Sequence, residues 1–252
     1  MFGYNQSMLA TFINAAAIII GALAGLVLRK RLSAGLRDTV FVAAGMLSLV
    51  IGILMAIETM HMLYLALALV GGGVIGAALH IEAGVLWVGE SIRRLGTGWS
   101  RPAPAIGLPE ESSSFALGFL ESSVLFCVGS MAILGSIQAG TVGDYKLLLT
   151  KSVMDGVIAV LLAAALGAGV LGSAVSVLLY QGVLTLLAGV LQPWISPEIR
   201  TMISSLGGPM VMMIGINLLG LRKIPTANFL PALILGVGLI LLDPWMPEIF
   251  RG

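Results

Sequence analysis

The sequence predicts an all-α integral membrane protein of about eight transmembrane helices, and three observations predict it. Of its 252 residues, 58% are hydrophobic and only 10% are charged, where a soluble domain carries about 25% charged residues. The apolar residues are gathered into runs of about 20, the length a helix rising about 1.5 Å per residue needs to cross a hydrocarbon layer of about 30 Å. Two stretches also match at a constant offset of 163 positions. Leu36-Arg37-Asp38 through Gly45 to Ile51-Gly52-Ile53 realigns on Ile199-Arg200-Thr201 through Gly208 to Ile214-Gly215-Ile216, and Gly73 falls on Gly236. If five spans separate the copies, they cross in opposite directions, and inverted repeats are an architecture of proteins that move a solute between two sides.

Span one is expected over residues 8–28, with no positive segment before it, so it reads as a retained helix and not a cleaved signal peptide. The basic turn Arg29-Lys30-Arg31, with Arg37, leads to span two over 39–57, and span three follows over 62–79. Ile81, Val85, Val88, Ile92 and Leu95 then recur at heptad spacing among Glu82, Glu90, Arg93 and Arg94. That pattern predicts an amphipathic helix over 81–96 on the membrane surface, with Trp87 near the headgroups. A Pro-, Gly- and Ser-rich cytoplasmic linker covers 97–113.

Span four is expected over 114–138, followed by a polar connection carrying Asp144 and Lys146. Residues 152–192 are twice the length of one helix and predict spans five and six around a turn near Gly167-Ala168-Gly169 and Gly172-Ser173. Span seven covers 201–221, and a short span eight 228–242 begins near Pro231. The scheme is a first repeat over 8–80 (spans one to three) and a second over 173–243 (spans six to eight), inverted about a central hairpin over 114–172 (spans four and five).

With the N-terminus outside, nine of the thirteen basic residues face the cytoplasm: Arg29, Lys30, Arg31, Arg37, Arg93, Arg94, Arg101, Arg222 and Lys223. That bias favours this orientation in a bacterial inner membrane. A net charge of +1 gives no reason to expect a nucleic-acid partner, and the single cysteine, Cys127, excludes an intramolecular disulfide framework. Gly71 to Gly76 satisfies a dinucleotide fingerprint, yet it lies within a span and follows no strand, so a phosphate-cradling turn cannot form there. No cofactor motif and no nucleophile elbow, zinc-protease motif or Ser-His-Asp order is present. Glycine faces on spans one and three, through Gly21, Gly25, Gly72 and Gly76, suit close helix packing and leave a homodimer open.

Charged side chains inside a bilayer cost roughly 2.5 to 3.5 kcal/mol each on insertion scales, so each is a candidate functional group. Asp155 is one, with Lys151 four residues before it and able to pair with it on one helix face; Glu121 in span four is the other. The alternative is mutual neutralisation of Lys151 and Asp155 at a helix interface and snorkelling by Glu121. In span four Ser122, Gly129 and Ser136 make one small face, which serves close packing or, if the helix unwinds near Gly129, exposes carbonyls and hydroxyls to an ion. Asn14, Tyr180, Gln181 and Asn217 are further intramembrane polar groups that either bond singly to neighbouring helices or converge on one cavity.

The run Phe126-Cys127-Val128-Gly129-Ser130-Met131-Ala132-Ile133-Leu134-Gly135-Ser136 is followed by Gly143-Asp144-Tyr145, Lys151-Ser152 and Asp155-Gly156. Together with Thr11-Phe12-Ile13-Asn14, Gly21 and Tyr180-Gln181-Gly182, it resembles the YqgA/YdfK-like bacterial membrane proteins, a family of unknown function (domain of unknown function 554). The resemblance covers nearly the whole chain and implies a membrane protein, but no substrate. Glu121 stands where an uncharged residue is expected in relatives, which shifts weight to Asp155.

These residues predict a secondary transporter or channel for a small ion or polar solute. Asp155 tuned by Lys151 would bind a cation or proton, Gly129, Ser130 and Ser136 would supply backbone and hydroxyl ligands, and Gln138 and Asp144 would form the outer mouth. Asn14, Gln181, Asn217 and Glu121 complete the candidate set. The rival is a non-transporting scaffold that presents residues 81–113 to a partner, and a membrane enzyme is a third reading that lacks a second catalytic group near Asp155.

Overall fold

In hydrocarbon every backbone N–H and C=O must find its partner within the protein, so apolar runs of span length fold as helices. The computed structural model describes residues 8–59, 61–96 and 110–245, and these form helices and turns with no strand. In chain order the helices are α1 (Leu9–Arg31), α2 (Ala34–Ala56), α3 (Met62–Ala78), α4 (Ile81–Gly96), α5 (Glu110–Cys127), α6 (Ser130–Thr141), α7 (Lys146–Leu166), α8 (Gly169–Leu186), α9 (Ala188–Leu191), α10 (Pro197–Leu218) and α11 (Pro231–Leu242). By length and composition six segments can each cross a membrane, and the bent pairs α3–α4 (63°) and α5–α6 (61°) raise the total to as many as eight.

The apolar surface is turned outward. Ile20, Val70, Val153 and Ile234 are exposed, while Ala22, Ala68, Ala159 and Ala163 are fully buried. Lipid tails are as apolar as the core, so helix contact comes from close backbone approach at small residues. A Cβ on Gly21 would meet the Gly156 carbonyl oxygen at 2.1 Å, and one on Gly25 the Val160 oxygen at 2.3 Å, so α1 and α7 run parallel in direct backbone contact. The helices α2 and α10 cross antiparallel: Gly45 faces Gly215 and Leu219, and Gly52 faces Gly208 and Met212. Likewise Gly72 packs on Ala232 and Gly76 on Asn228, which sets α3 against α11.

These contacts correct one expectation. The glycine faces of spans one and three are consumed by α7 and α11 of the same chain, so they supply no ground for a homodimer. Helix α7 packs most extensively on α1, and α5 on α8.

Where a single span is expected over 114–138, the structure has two helices meeting at Val128-Gly129, with Gly129 extended. Helix α5 already starts at Glu110, within the stretch expected as linker, and residues 97–109 of that linker lie outside the described residues. The helix of span five begins at Lys146, earlier than expected. Its turn to α8 is at Gly167, whose φ of +87° needs glycine, and Gly172-Ser173 is helical.

The amphipathic helix is present as α4, but its inward stripe is rotated. Ile81, Val85 and Leu86 pack against the core and Gly89 abuts Phe119, leaving Val88 and Trp87 exposed. Its first turn is tied to the start of span eight: the Ala227 N–H donates to Glu82 Oε2 at 2.7 Å, and the Glu82 N–H donates to Asn228 Oδ1 at 2.9 Å. A hydrogen bond to a charged acceptor contributes about 1.5 to 3 kcal/mol, so Glu82→Ala is expected to lower the apparent melting temperature by several degrees while Glu82→Gln retains most of it. Equal melting of the two variants would show that this contact does not hold α4.

Candidate functional site

Positions four apart share a helix face, and on α7 that spacing brings Lys151 Nζ onto Asp155 Oδ2 as a buried ion pair. Because the helix starts at Lys146, Asp155 lies near the middle of its 21 residues. A second helix completes the carboxylate: Asn14 on α1 donates from Nδ2 to Asp155 Oδ2 at 3.1 Å and also to Gln181 Oε1 on α8 at 3.2 Å. Lys151 and Asp155 are each 6% exposed, and Asn14 and Gln181 are fully buried.

The cluster is not saturated. Among the described residues, Asn14 Oδ1, Gln181 Nε2 and the hydroxyls of Thr11 and Thr185 are buried without a hydrogen-bond partner. Thr11 lies one turn before Asn14, and Thr185 one turn after Gln181, so both share the helix faces that carry the amides. Unpartnered buried polar atoms are exceptions in folded proteins, and each costs about 1 to 3 kcal/mol.

Next to this cluster the backbone of span four is interrupted. Cys127, the last residue of α5, lies within electrostatic reach of Lys151 and Asp155. At the break the Val128 N–H still donates to the Val124 carbonyl, and the Ala132 and Ile133 N–H groups donate to the Gly129 carbonyl, while the carbonyls of residues 125–127 have no continuing helix to bond. A Cβ built on Gly129 would meet no atom within 4 Å, so that side of the break is open, whereas Val128 is pressed against Gly207 of α10. Two residues on, Pro209 stands inside α10 and removes the N–H that would bond to the Ser205 carbonyl. Two weakened stretches of backbone therefore meet where α10 packs on the break in span four.

The other predicted residues are distributed differently. Ser130 opens α6, and Ser136, fully buried on the same helix, has no hydrogen-bond partner. Gln138 contributes its carbonyl, which accepts from Val142 and Asp144, and Asp144 is an exposed turn residue whose Oδ1 accepts from the Lys146 N–H at 3.1 Å. Tyr180 packs among Ile133, Ile137 and Ala188. Asn217 does not join Asn14 and Gln181: at the far end of α10 it brackets Ile224, accepting from its N–H at 2.7 Å and donating to its carbonyl at 3.1 Å. Glu121 belongs to that end too, within electrostatic reach of Asn217 and Glu82, with Oε2 unpartnered.

Sequence reasoning missed Thr11, Thr185 and Pro209 as site residues. The four-residue step from Gln181 and a proline inside an apolar span were the available signals. No group of three or more His, Cys, Asp or Glu converges among the described residues.

The family model described as "Protein of unknown function (DUF554)" matches residues 9–241. The chain belongs to the DUF554 family. Among DUF554-like relatives, "Uncharacterized protein YqgA" of Escherichia coli (strain K12) is 30% identical over 232 residues, covering 92% of this chain and 96% of that protein. "Uncharacterized membrane protein YdfK" of Bacillus subtilis (strain 168) is 28% identical over 234 residues, covering 90% and 93%. No solved structure matches the chain. This DUF554 protein is a multi-pass membrane protein, as its helices and the description of the Bacillus relative agree.

Proposed function

We propose that this protein is a secondary transporter or channel for a small ion or polar solute, centred on Asp155. The observation that carries the reading is the buried Lys151–Asp155–Asn14–Gln181 cluster, with unmet hydrogen-bonding capacity beside a broken span. Ionisable groups within a bilayer mark solute paths, and broken helices expose the backbone that coordinates ions in transporters. A scaffold has no use for such a cluster, whose orphaned atoms lower stability.

The internal repeat supports the same reading. Adding 163 to Gly45 and Gly52 gives Gly208 and Gly215, and the contacts transform with them. The Gly45–Gly215 approach maps onto Gly52–Gly208, Gly45–Leu219 onto Gly208–Ala56, and Gly52–Met212 onto Gly215–Leu49. Antiparallel copies about a pseudo-twofold axis in the membrane plane require that interchange, and alternating access is a movement such copies permit. The orientation proposed is N-terminus outside in the bacterial inner membrane, with Arg29–Arg31, Arg222 and Lys223 at the cytoplasmic end and Lys146 and Arg200 opposite.

Cys127 is the single cysteine, so Cys127→Ser gives a cysteine-free background for a solvent-accessibility test. Asn14→Cys and Gln181→Cys are expected to react with a water-soluble thiol reagent, whereas Ala68→Cys, fully buried in the α3–α11 contact, is expected to stay unreacted. Absence of labelling at both polar positions would end the transport reading.

A further inference from the structure

We propose that the Asp155 cluster binds an inorganic monovalent cation, sodium or potassium, and that the Lys151 ammonium is a resident substitute which the ion displaces. The functional role of this exchange rests on the transport reading; the site itself does not. A carboxylate at the middle of a membrane helix needs a positive partner, and here that partner is a tethered one on the same helix, four residues away. A lysine is a compact charge on a flexible four-carbon stem, so it can withdraw along α7 without backbone movement.

The surrounding atoms suit a hard cation. Asn14 Oδ1, Thr11 Oγ1 and Thr185 Oγ1 are buried oxygens with no hydrogen-bond partner, and Gln181 Oε1 accepts from Asn14. With the Asp155 carboxylate they come from three helices, α1, α7 and α8, and hard cations take oxygen ligands. Cys127, at the end of α5, is within electrostatic reach of the ion pair.

Charge selects the class. The cluster has one carboxylate, and no group of three or more His, Cys, Asp or Glu converges among the described residues, so a divalent ion would remain under-neutralised. An anion would have to displace Asp155 from Lys151 and would find Gln181 Nε2 as the one unpartnered nitrogen donor of the cluster. A monovalent cation replaces one positive charge with another. The ion enters as the ammonium moves toward the Lys146 end of α7, and the buried charge is unchanged.

The test is the apparent melting temperature of purified protein in sodium, potassium and choline chloride at matched ionic strength, with direct binding of radioactive sodium to the wild type. Sodium or potassium, but not choline, is expected to raise the melting temperature, since an ion that binds the folded state stabilises it. Removing a competitor raises apparent affinity by the fraction of site it had occupied, so Lys151→Gln is expected to respond at a concentration about tenfold lower or less. Asp155→Asn is expected to lose the ion-specific response; should it fail to accumulate, the wild type and Lys151→Gln carry the test.

Identical melting in the three salts for both proteins, with no sodium retained, overturns the site. Thiol labelling at positions 14 and 181 without ion-specific stabilisation removes the ion and leaves the transport reading standing. Ion binding without labelling supports the site and removes its role in transport.

Discussion

Asp155→Ala is expected to lower stability by about 3 to 5 kcal/mol, because it leaves the Lys151 ammonium buried and unpaired among apolar helices. The same change removes one of the two acceptors of the Asn14 amide, leaving Gln181 Oε1. In a thermal unfolding series the apparent melting temperature should fall by roughly 10 °C. Replacing both partners, as Lys151→Met with Asp155→Leu, should recover most of the loss, since two well-packed apolar side chains carry no desolvation penalty. Recovery of stability without recovery of flux in proteoliposomes would place the ion pair in function. If Asp155→Ala unfolds no more readily than the wild type, the pair contributes nothing to the buried network and Asp155 leaves the site.

The readability of this site from sequence depended on range. Lys151 and Asp155 were legible because a four-residue step on a helix is a contact in itself. Asn14 and Asp155 are 141 positions apart, and their meeting depends on the register of α1 on α7, which is set by Gly21 and Gly25 against the α7 backbone. No local pattern carries that register. Asn14 and Asn217 look alike in sequence, each a single amide in an apolar run. They differ in depth: Asn217 stands one residue before the end of α10, where its amide closes the loop to Ile224.

The spans themselves followed from apolar length, but the 61° break at Val128-Gly129 did not, since glycine is tolerated within helices and marks no bend on its own. Close-packing glycines were legible as packing surfaces and illegible as to partner. A small face serves another chain or a helix of its own chain equally well, and here it serves α7 and α11.

Gly52→Val and Gly215→Val are expected to cause matched losses of about 3 kcal/mol each, the upper part of the range for overpacking. A Cβ on Gly52 would stand 2.6 Å from the Gly208 carbonyl oxygen, and a Cβ on Gly215 would stand 2.8 Å from the Gly45 oxygen. Each new side chain meets backbone on the facing helix, so relief requires α2 and α10 to separate along their length. The matching follows from the 163-residue offset, which carries Gly52 onto Gly215 and exchanges their neighbours Gly208 and Gly45, Met212 and Leu49. Gly238→Ala is the internal control: a Cβ there meets nothing within 4 Å, so helix propensity alone should hold or slightly raise stability. Unequal losses at 52 and 215 would count against the pseudo-twofold relation, and tolerance of both would show that α2 and α10 are not held by direct backbone contact. If the relation holds, the α2–α10 crossing lies on the axis, and movement of one repeat against the other must pivot at these glycines. Flux should then fail in any variant that wedges them apart, even one that remains folded.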